Sequence, residues 1–166
     1  KWVALGAVLD AGKDPDAPLV TIMPKMPQPM PPESYRVPVS ITGLAFSPDG
    51  TQLASSGYHE VLIWNAADGA QIRRITNVAE RTHEIQFSPD GRWVVTASRD
   101  QTAQIWEAST GKMSSVPFKH QGSVSSAEFS SDGSYIMTVS SNFHIWKITR
   151  FLESSKGFAE FLERVS

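Results

Sequence analysis

No cysteine occurs anywhere in the 166 residues. That excludes disulfides, thiolate zinc sites, iron–sulfur ligation, a cysteine nucleophile and the Cys-x-x-Cys-His attachment of c-type haem. Positive charge is not in surplus either. Lys+Arg number 15 against 17 Asp+Glu, a formal net charge of −2. Counterion release needs a cationic face, so no nucleic-acid partner is expected. No apolar run approaches the roughly eighteen residues that span a bilayer, so no membrane span is expected. There is no glycine-rich phosphate loop and no Gly-x-Ser-x-Gly elbow after a strand. What is present is globular in character, with 40% hydrophobic and 19% charged residues. Lys1-Trp2 is not a natural start, which leaves room for a leader or further sequence before it.

Proline divides the chain. Pro15, Pro18, Pro24, Pro27, Pro29, Pro31, Pro32 and Pro38 crowd one stretch. Proline lacks a backbone N–H and fixes φ, so this stretch is neither helix nor central strand. Gln28 to Pro32 is expected to be extended, polyproline-like chain. Before it, Trp2 to Leu9 reads as a short helix on its Ala and Leu content, with Gly12 as a stop. Leu19 to Met23 reads as a short strand. Residues 1–36 are therefore expected to form an N-terminal helix and a Pro-rich linker.

Residues 37–149 repeat. Phe46-Ser47-Pro48-Asp49-Gly50 returns as Phe87-Ser88-Pro89-Asp90-Gly91 and as Phe129-Ser130-Ser131-Asp132-Gly133, at periods of 41 and 42. Ile63-Trp64 returns as Ile105-Trp106 and Ile145-Trp146, at periods of 42 and 40. A fixed period of this size, with strands and turns, marks a repeat architecture. The units are 37–77, 78–119 and 120–149. Each reads as four short strands, with Asp-Gly supplying the positive φ angles of a tight hairpin. Unit one gives 41–46, 52–56, 61–65 and 71–76. Unit two gives 82–87, 93–98, 103–107 and 113–118. Unit three gives 124–129, 135–140 and 143–148, and lacks a fourth strand. Phe151, Phe158, Leu162 and Val165 then share one face at the 3.6-residue period. Residues 150–166 are expected to form an amphipathic helix, either packing on the repeats or meeting a partner.

These repeats resemble WD40 repeats of a β-propeller. Ser98-Arg99-Asp100-Gln101-Thr102-Ala103-Gln104-Ile105-Trp106 resembles the family's Ser-x-Asp-x-Thr-x-x-Ile-Trp core, and His120-Gln121-Gly122-Ser123-Val124 its His-containing lead-in. The resemblance implies an all-β fold, a partial propeller of three blades, the third without its own fourth strand. It also implies a structural hydrogen-bond network within each blade, built from His, Ser, Asp and Trp. Unit two matches it at Ser98, Asp100 and Trp106, with Val78 in place of the His. Unit three matches it at His120, Ser140 and Trp146, with Asn142 in place of the Asp. Unit one keeps Ser56 and Trp64. Residues 1–92 are also similar to planctomycete-type proteins that join a cytochrome c domain to WD40 repeats. That likeness rests on Trp2 to Ala7, the Pro-rich linker, Ser56 to Trp64 and Ala79 to His83. It implies a haem domain before Lys1 and an extracytoplasmic setting, although this chain carries no haem attachment of its own.

Propellers close with typically four to eight blades, so three need a cap, further blades or another copy. The C-terminal helix and the 19–23 strand are the candidate caps, and that strand is also a candidate fourth strand for unit three. No cofactor and no metal are expected. His59, His83, His120 and His144 have no close ligand spacing, and Asp10, Asp14 and Asp16 depart from a calcium loop. Met23, Met26 and Met30 read as loosely packed linker side chains rather than soft metal ligands. In a propeller, the loops joining strands two and three and those leading into strand one emerge on a common face. Tyr58, His59, Arg81, Arg99, Lys119 and Asn142 lie there. Tyrosine and arginine are enriched at binding hot spots, which singles out Tyr58, Arg81 and Arg99 as contacts for a protein or peptide. The expected function is a noncatalytic protein-interaction scaffold. The alternatives are the propeller module of a haem-linked electron-transfer or envelope protein, and a self-assembling half-propeller (a homo-oligomer).

Overall fold

Each repeat opens with a Phe followed by a Ser-x-Asp-Gly turn, and the turn builds itself from its own side chains. In a computed structural model of the chain, Ser47 Oγ donates to Asp49 Oδ1 at 2.6 Å and accepts the N–H of Gln52 at 2.9 Å. Asp49 Oδ1 also accepts the Thr51 N–H at 3.0 Å. The same bonds recur at Ser88, Asp90, Arg92 and Trp93, and again at Ser130, Asp132, Ser134 and Tyr135. Gly50, Gly91 and Gly133 alone take positive φ here, at 73°, 73° and 70°. The aspartates thus serve as acceptors, not as left-handed residues, which corrects the expectation that Asp-Gly would supply both positive angles. Three donated hydrogen bonds favour the ionised form. They hold Asp49 below its ordinary value of 3.8, through Ser47 first and Thr51 second. Asp132 is lowered to about 2, through Ser130 first and Ser134 second.

The structure describes residues 41–148 except 77, 79 and 115, and the backbone of four outlying strands. Three four-stranded antiparallel sheets result. Blade one is β4 (Gly43–Phe46), β5 (Gln52–Ser56), β6 (Val61–Asn65) and β7 (Gln71–Ile75). Blade two is β8 (Thr82–Phe87), β9 (Trp93–Ser98), β10 (Thr102–Glu107) and β11 (Phe118–Lys119). Blade three is β12 (Ser126–Phe129), β13 (Tyr135–Val139), β14 (Phe143–Ile148) and β15 (Leu162–Val165). A separate sheet orders β1 (Trp2–Leu9), β2 (Pro18–Pro24) and β3 (Glu33–Arg36).

Register makes the three repeats equivalent. Phe46, Phe87 and Phe129 stand opposite Leu53, Val94 and Ile136, which in turn stand opposite Trp64, Trp106 and Trp146. The Trp rows of blades two and three face the preceding blade, whereas Trp64 packs with Leu53 and Leu62 of its own blade. Trp106, Phe87 and Val94 pack with Ala54, Val61 and Ile63 of blade one. Trp146 and Phe129 pack against Val95, Ala97 and Ile105 of blade two. Small residues on the receiving face let inner strands approach. A Cβ on Gly43 would lie 2.8 Å from Ser56 Oγ and 3.2 Å from Ile85 Cγ2. The inner edge of β12 is satisfied across the blade boundary, because Gln86 Oε1 accepts the Phe129 N–H at 2.6 Å and Glu84 Oε2 that of Ala127 at 3.2 Å.

Four expectations change. Trp2–Leu9 is strand β1, paired with β2, rather than a helix. Eight residues carrying Val3, Gly6 and Val8 make a marginal helix, whereas Val20-Thr21-Ile22 offers a strong β partner. The 19–23 strand pairs with β1 and β3, not with the third repeat. That repeat does have a fourth strand: Leu162–Val165 pairs with β14, in place of the end of the expected C-terminal helix. An open edge on β14 is a ready template, and four residues satisfy it. Blade two's last strand is shorter than expected, with Met113 touching Trp106 only as an isolated bridge. The polyproline segment 28–32 and residues 151–161 lie outside the described residues, although 33–36, assigned to the linker, form β3.

Candidate functional site

At the end of the blades opposite the Ser-x-Asp-Gly turns, the β5–β6 loop meets the segment leading into β8. Tyr58 and Arg81 form an isolated antiparallel bridge, and the Thr82 N–H donates to the Gly57 carbonyl at 3.1 Å. The Arg81 guanidinium lies 5.7 Å from the centroid of the Tyr58 ring, within cation–π range. Tyr58 keeps 49% of its surface exposed. The β9–β10 loop joins them, because the Arg99 N–H donates to the Arg81 carbonyl at 2.9 Å. Ser98 Oγ donates to the same carbonyl at 3.3 Å. Three segments far apart in sequence thus bring Tyr58, Arg81 and Arg99 to one rim.

The charges behind the rim are unequal. Glu60 is nearly buried and accepts from Arg74 Nε at 2.6 Å, which anchors the loop that carries Tyr58. Arg99 Nε lies 4.0 Å from Glu80 Oε2, with both side chains largely exposed. Such a pair holds little energy and leaves the guanidinium available to another anion. His59 and Gln101 occupy matching loop positions, five residues before Trp64 and Trp106, and both are left-handed at φ 61° and 71°. That conformation is costly for non-glycine residues and recurs where a loop shape is held by its surroundings.

The structural residues named from the sequence fall elsewhere than the family pattern implies. Trp106 Nε1 donates to Thr96 Oγ1 at 2.9 Å, not to Ser98. Trp146 Nε1 donates to Thr138 Oγ1 at 2.8 Å, not to Ser140. Trp64 Nε1 donates to Ser55 at 2.9 Å rather than Ser56. Ser98 Oγ instead accepts the Asp100 N–H at 3.3 Å, and Asp100 accepts the N–H and hydroxyl of Thr102 at 2.9 and 2.7 Å. Ser140 Oγ donates to the Asn142 carbonyl at 3.4 Å. His120 packs edge-on to His144 at 4.8 Å and to Trp146 at 6.0 Å. The acceptors Ser55, Thr96 and Thr138 were missed, yet a signal existed: each sits two residues beyond the Trp's cross-strand partner, on the same sheet face.

Among the described residues no three His, Cys, Asp or Glu side chains gather to hold a metal ion. No helix among them is long and apolar enough to cross a membrane. A cavity of about 810 Å³ lies by the Ser47–Thr51 turn with Asn65 and Ala67, away from the Tyr58 rim.

Repeated four-stranded antiparallel sheets, the second and third each presenting a Trp row to the blade before it, define a propeller-type repeat protein. The chain belongs to the WD40 family: the WD domain, G-beta repeat, matches residues 34–65, 74–107 and 111–146. It is 33% identical over 107 residues to an uncharacterized WD repeat-containing protein of Synechocystis sp., covering 63% of this chain and 31% of that one. It is 28% identical over 109 residues to an intraflagellar transport protein 122 homolog of Xenopus tropicalis, covering 64% of this chain and 9% of that one. A third likeness, 30% over 69 residues, is to the target of rapamycin complex subunit LST8 of Bos taurus, covering 40% of this chain and 21% of that one. The chain therefore spans a third or less of the length of these curated relatives.

Proposed function

We propose that the chain is a noncatalytic scaffold whose loop rim docks a protein or peptide, with Tyr58, Arg81 and Arg99 as contacts. The convergence of those three side chains from three segments carries this reading. An exposed tyrosine with an arginine over its ring offers a rigid aromatic surface and directional charge, the chemistry of interface anchors. The names of two relatives, a transport protein and a complex subunit, agree with a role in assemblies. Affinity capture compares the intact chain with a Tyr58→Ala, Arg81→Ala double variant of unchanged circular dichroism. The specific partner is expected to be lost from the variant; an unchanged captured set contradicts the reading. Turnover on a broad substrate panel that one loop substitution abolishes contradicts it as well.

The likeness of residues 1–92 to cytochrome c–WD40 proteins would place the same scaffold beside a haem domain. The parent sequence before Lys1 decides it, by the presence or absence of Cys-x-x-Cys-His within about a hundred residues. Self-association is favoured by a separate observation. Among the described residues, the face that blades one and two bury against the next blade is left uncovered in blade three, where Phe143 is 70% exposed beside Tyr135, Met137 and Ile145.

A further inference from the structure

The rim continues past Arg99 into a pocket of different chemistry. The His120 N–H donates to the Gln101 carbonyl at 2.9 Å, tying the segment before β12 to the β9–β10 loop. Beyond that bond opens a pocket of about 380 Å³, with Lys119, His120 and Gln121 on one wall and Ser140–Asn142 with His144 on the other. Every lining side chain has an N–H or O–H to donate in at least one of its forms, and none is a carboxylate. The wall is pre-set. Ser140 donates its N–H to the Asn142 carbonyl at 2.9 Å, and the His144 ring stacks on Trp146 at 5.9 Å and 27°. Trp146 spends its own N–H on Thr138, so it does not compete. His144 Nδ1 is buried without a hydrogen-bond partner among the described residues.

This composition selects its ligand. A metal cation would meet the Lys119 ammonium with no carboxylate to offset it. An apolar group would leave the donors unpaired. An oxyanion answers both, because charged and neutral donors in a concavity bind one by short, charge-assisted bonds. We propose that this pocket binds an oxyanion, a phosphate or carboxylate borne by the polypeptide that docks on the rim. The carrier rests on the scaffold reading; the anion site does not.

Inorganic phosphate and acetate are titrated into the chain while the imidazole resonances of His120 and His144 are followed by NMR. A peptide carrying phosphoserine, glutamate or alanine at one position of a Gly/Ser context then tells the two carriers apart. Phosphate or acetate is expected to shift both imidazoles. Lys119→Gln and His144→Gln are each expected to weaken binding about tenfold, with Lys119→Arg retaining it. Lys119 is exposed, so its variant keeps the fold, and circular dichroism verifies this for His144→Gln. The proposal is overturned if neither anion moves the imidazoles, or if both Gln variants bind as the parent does. Anion binding with partner capture unaffected by the Tyr58 and Arg81 changes would sink the rim contacts and leave the pocket standing.

Discussion

Thr96 shows how much one hydroxyl decides. It is buried at 1% exposure and accepts the only N–H of the Trp106 indole. Thr96→Val keeps the volume and leaves that N–H buried without an acceptor, which costs about 1–3 kcal/mol. Ser98→Ala removes only bonds of 3.3 Å and is expected to cost less. Urea unfolding followed by tryptophan fluorescence compares the two, and a Ser98 variant weaker than the Thr96 variant would contradict the assignment. Asp132 gives a second residue-level expectation. Its folded pKa of about 2 lies below the ordinary 3.8, so ionised Asp132 favours the folded state. The contribution is full above about pH 4 and is lost as the pH falls toward 2. Asp132→Asn is expected to flatten that part of the stability–pH curve, read by thermal melts at stepped pH.

At the scale of the strand and the turn, the sequence was legible wherever a local signal matched a local cause. The strands 52–56, 61–65, 82–87, 93–98 and 143–148 fall where the repeat period and the Asp-Gly turns place them. The partners of the tryptophans were not legible from the motif, because Ser98 and Thr96 lie on one face of β9 and only register separates them. Trp2–Leu9 misled because Ala and Leu favour a helix while the next strand, β2, supplied the pairing. Leu162–Val165 misled because its spacing fits a helix face as well as a short strand. Tyr58, Arg81 and Arg99 were nameable from loop position, but the ring contact and shared carbonyl that join them depend on blade packing. The junction between β8 and β12 has its own test. Gln86→Ala removes the acceptor of the Phe129 N–H and is expected to speed hydrogen exchange at that amide, and to destabilise the chain by about 1–3 kcal/mol. An unchanged exchange rate at Phe129 would show the amide to be satisfied elsewhere.

For the whole molecule, the decisive asymmetry is between blade faces. Blade one covers its following face with blade two, and blade two with blade three, whereas Phe143, Met137 and Ile145 remain open. In isolation the chain is expected to self-associate through this face, since contiguous exposed apolar surface is costly in water. Sedimentation velocity reads it directly: Phe143→Glu should shift the distribution toward monomer, and a monomeric parent at all concentrations would refute the expectation. The repeated turns carry one more consequence, for the order in which the chain acquires its shape. Ser47, Ser88 and Ser130 each fasten a hairpin over five residues, with no help from another blade. Three nuclei of short loop length are therefore available at once, and collapse can begin at any of them before the slower docking of one leaf on the next.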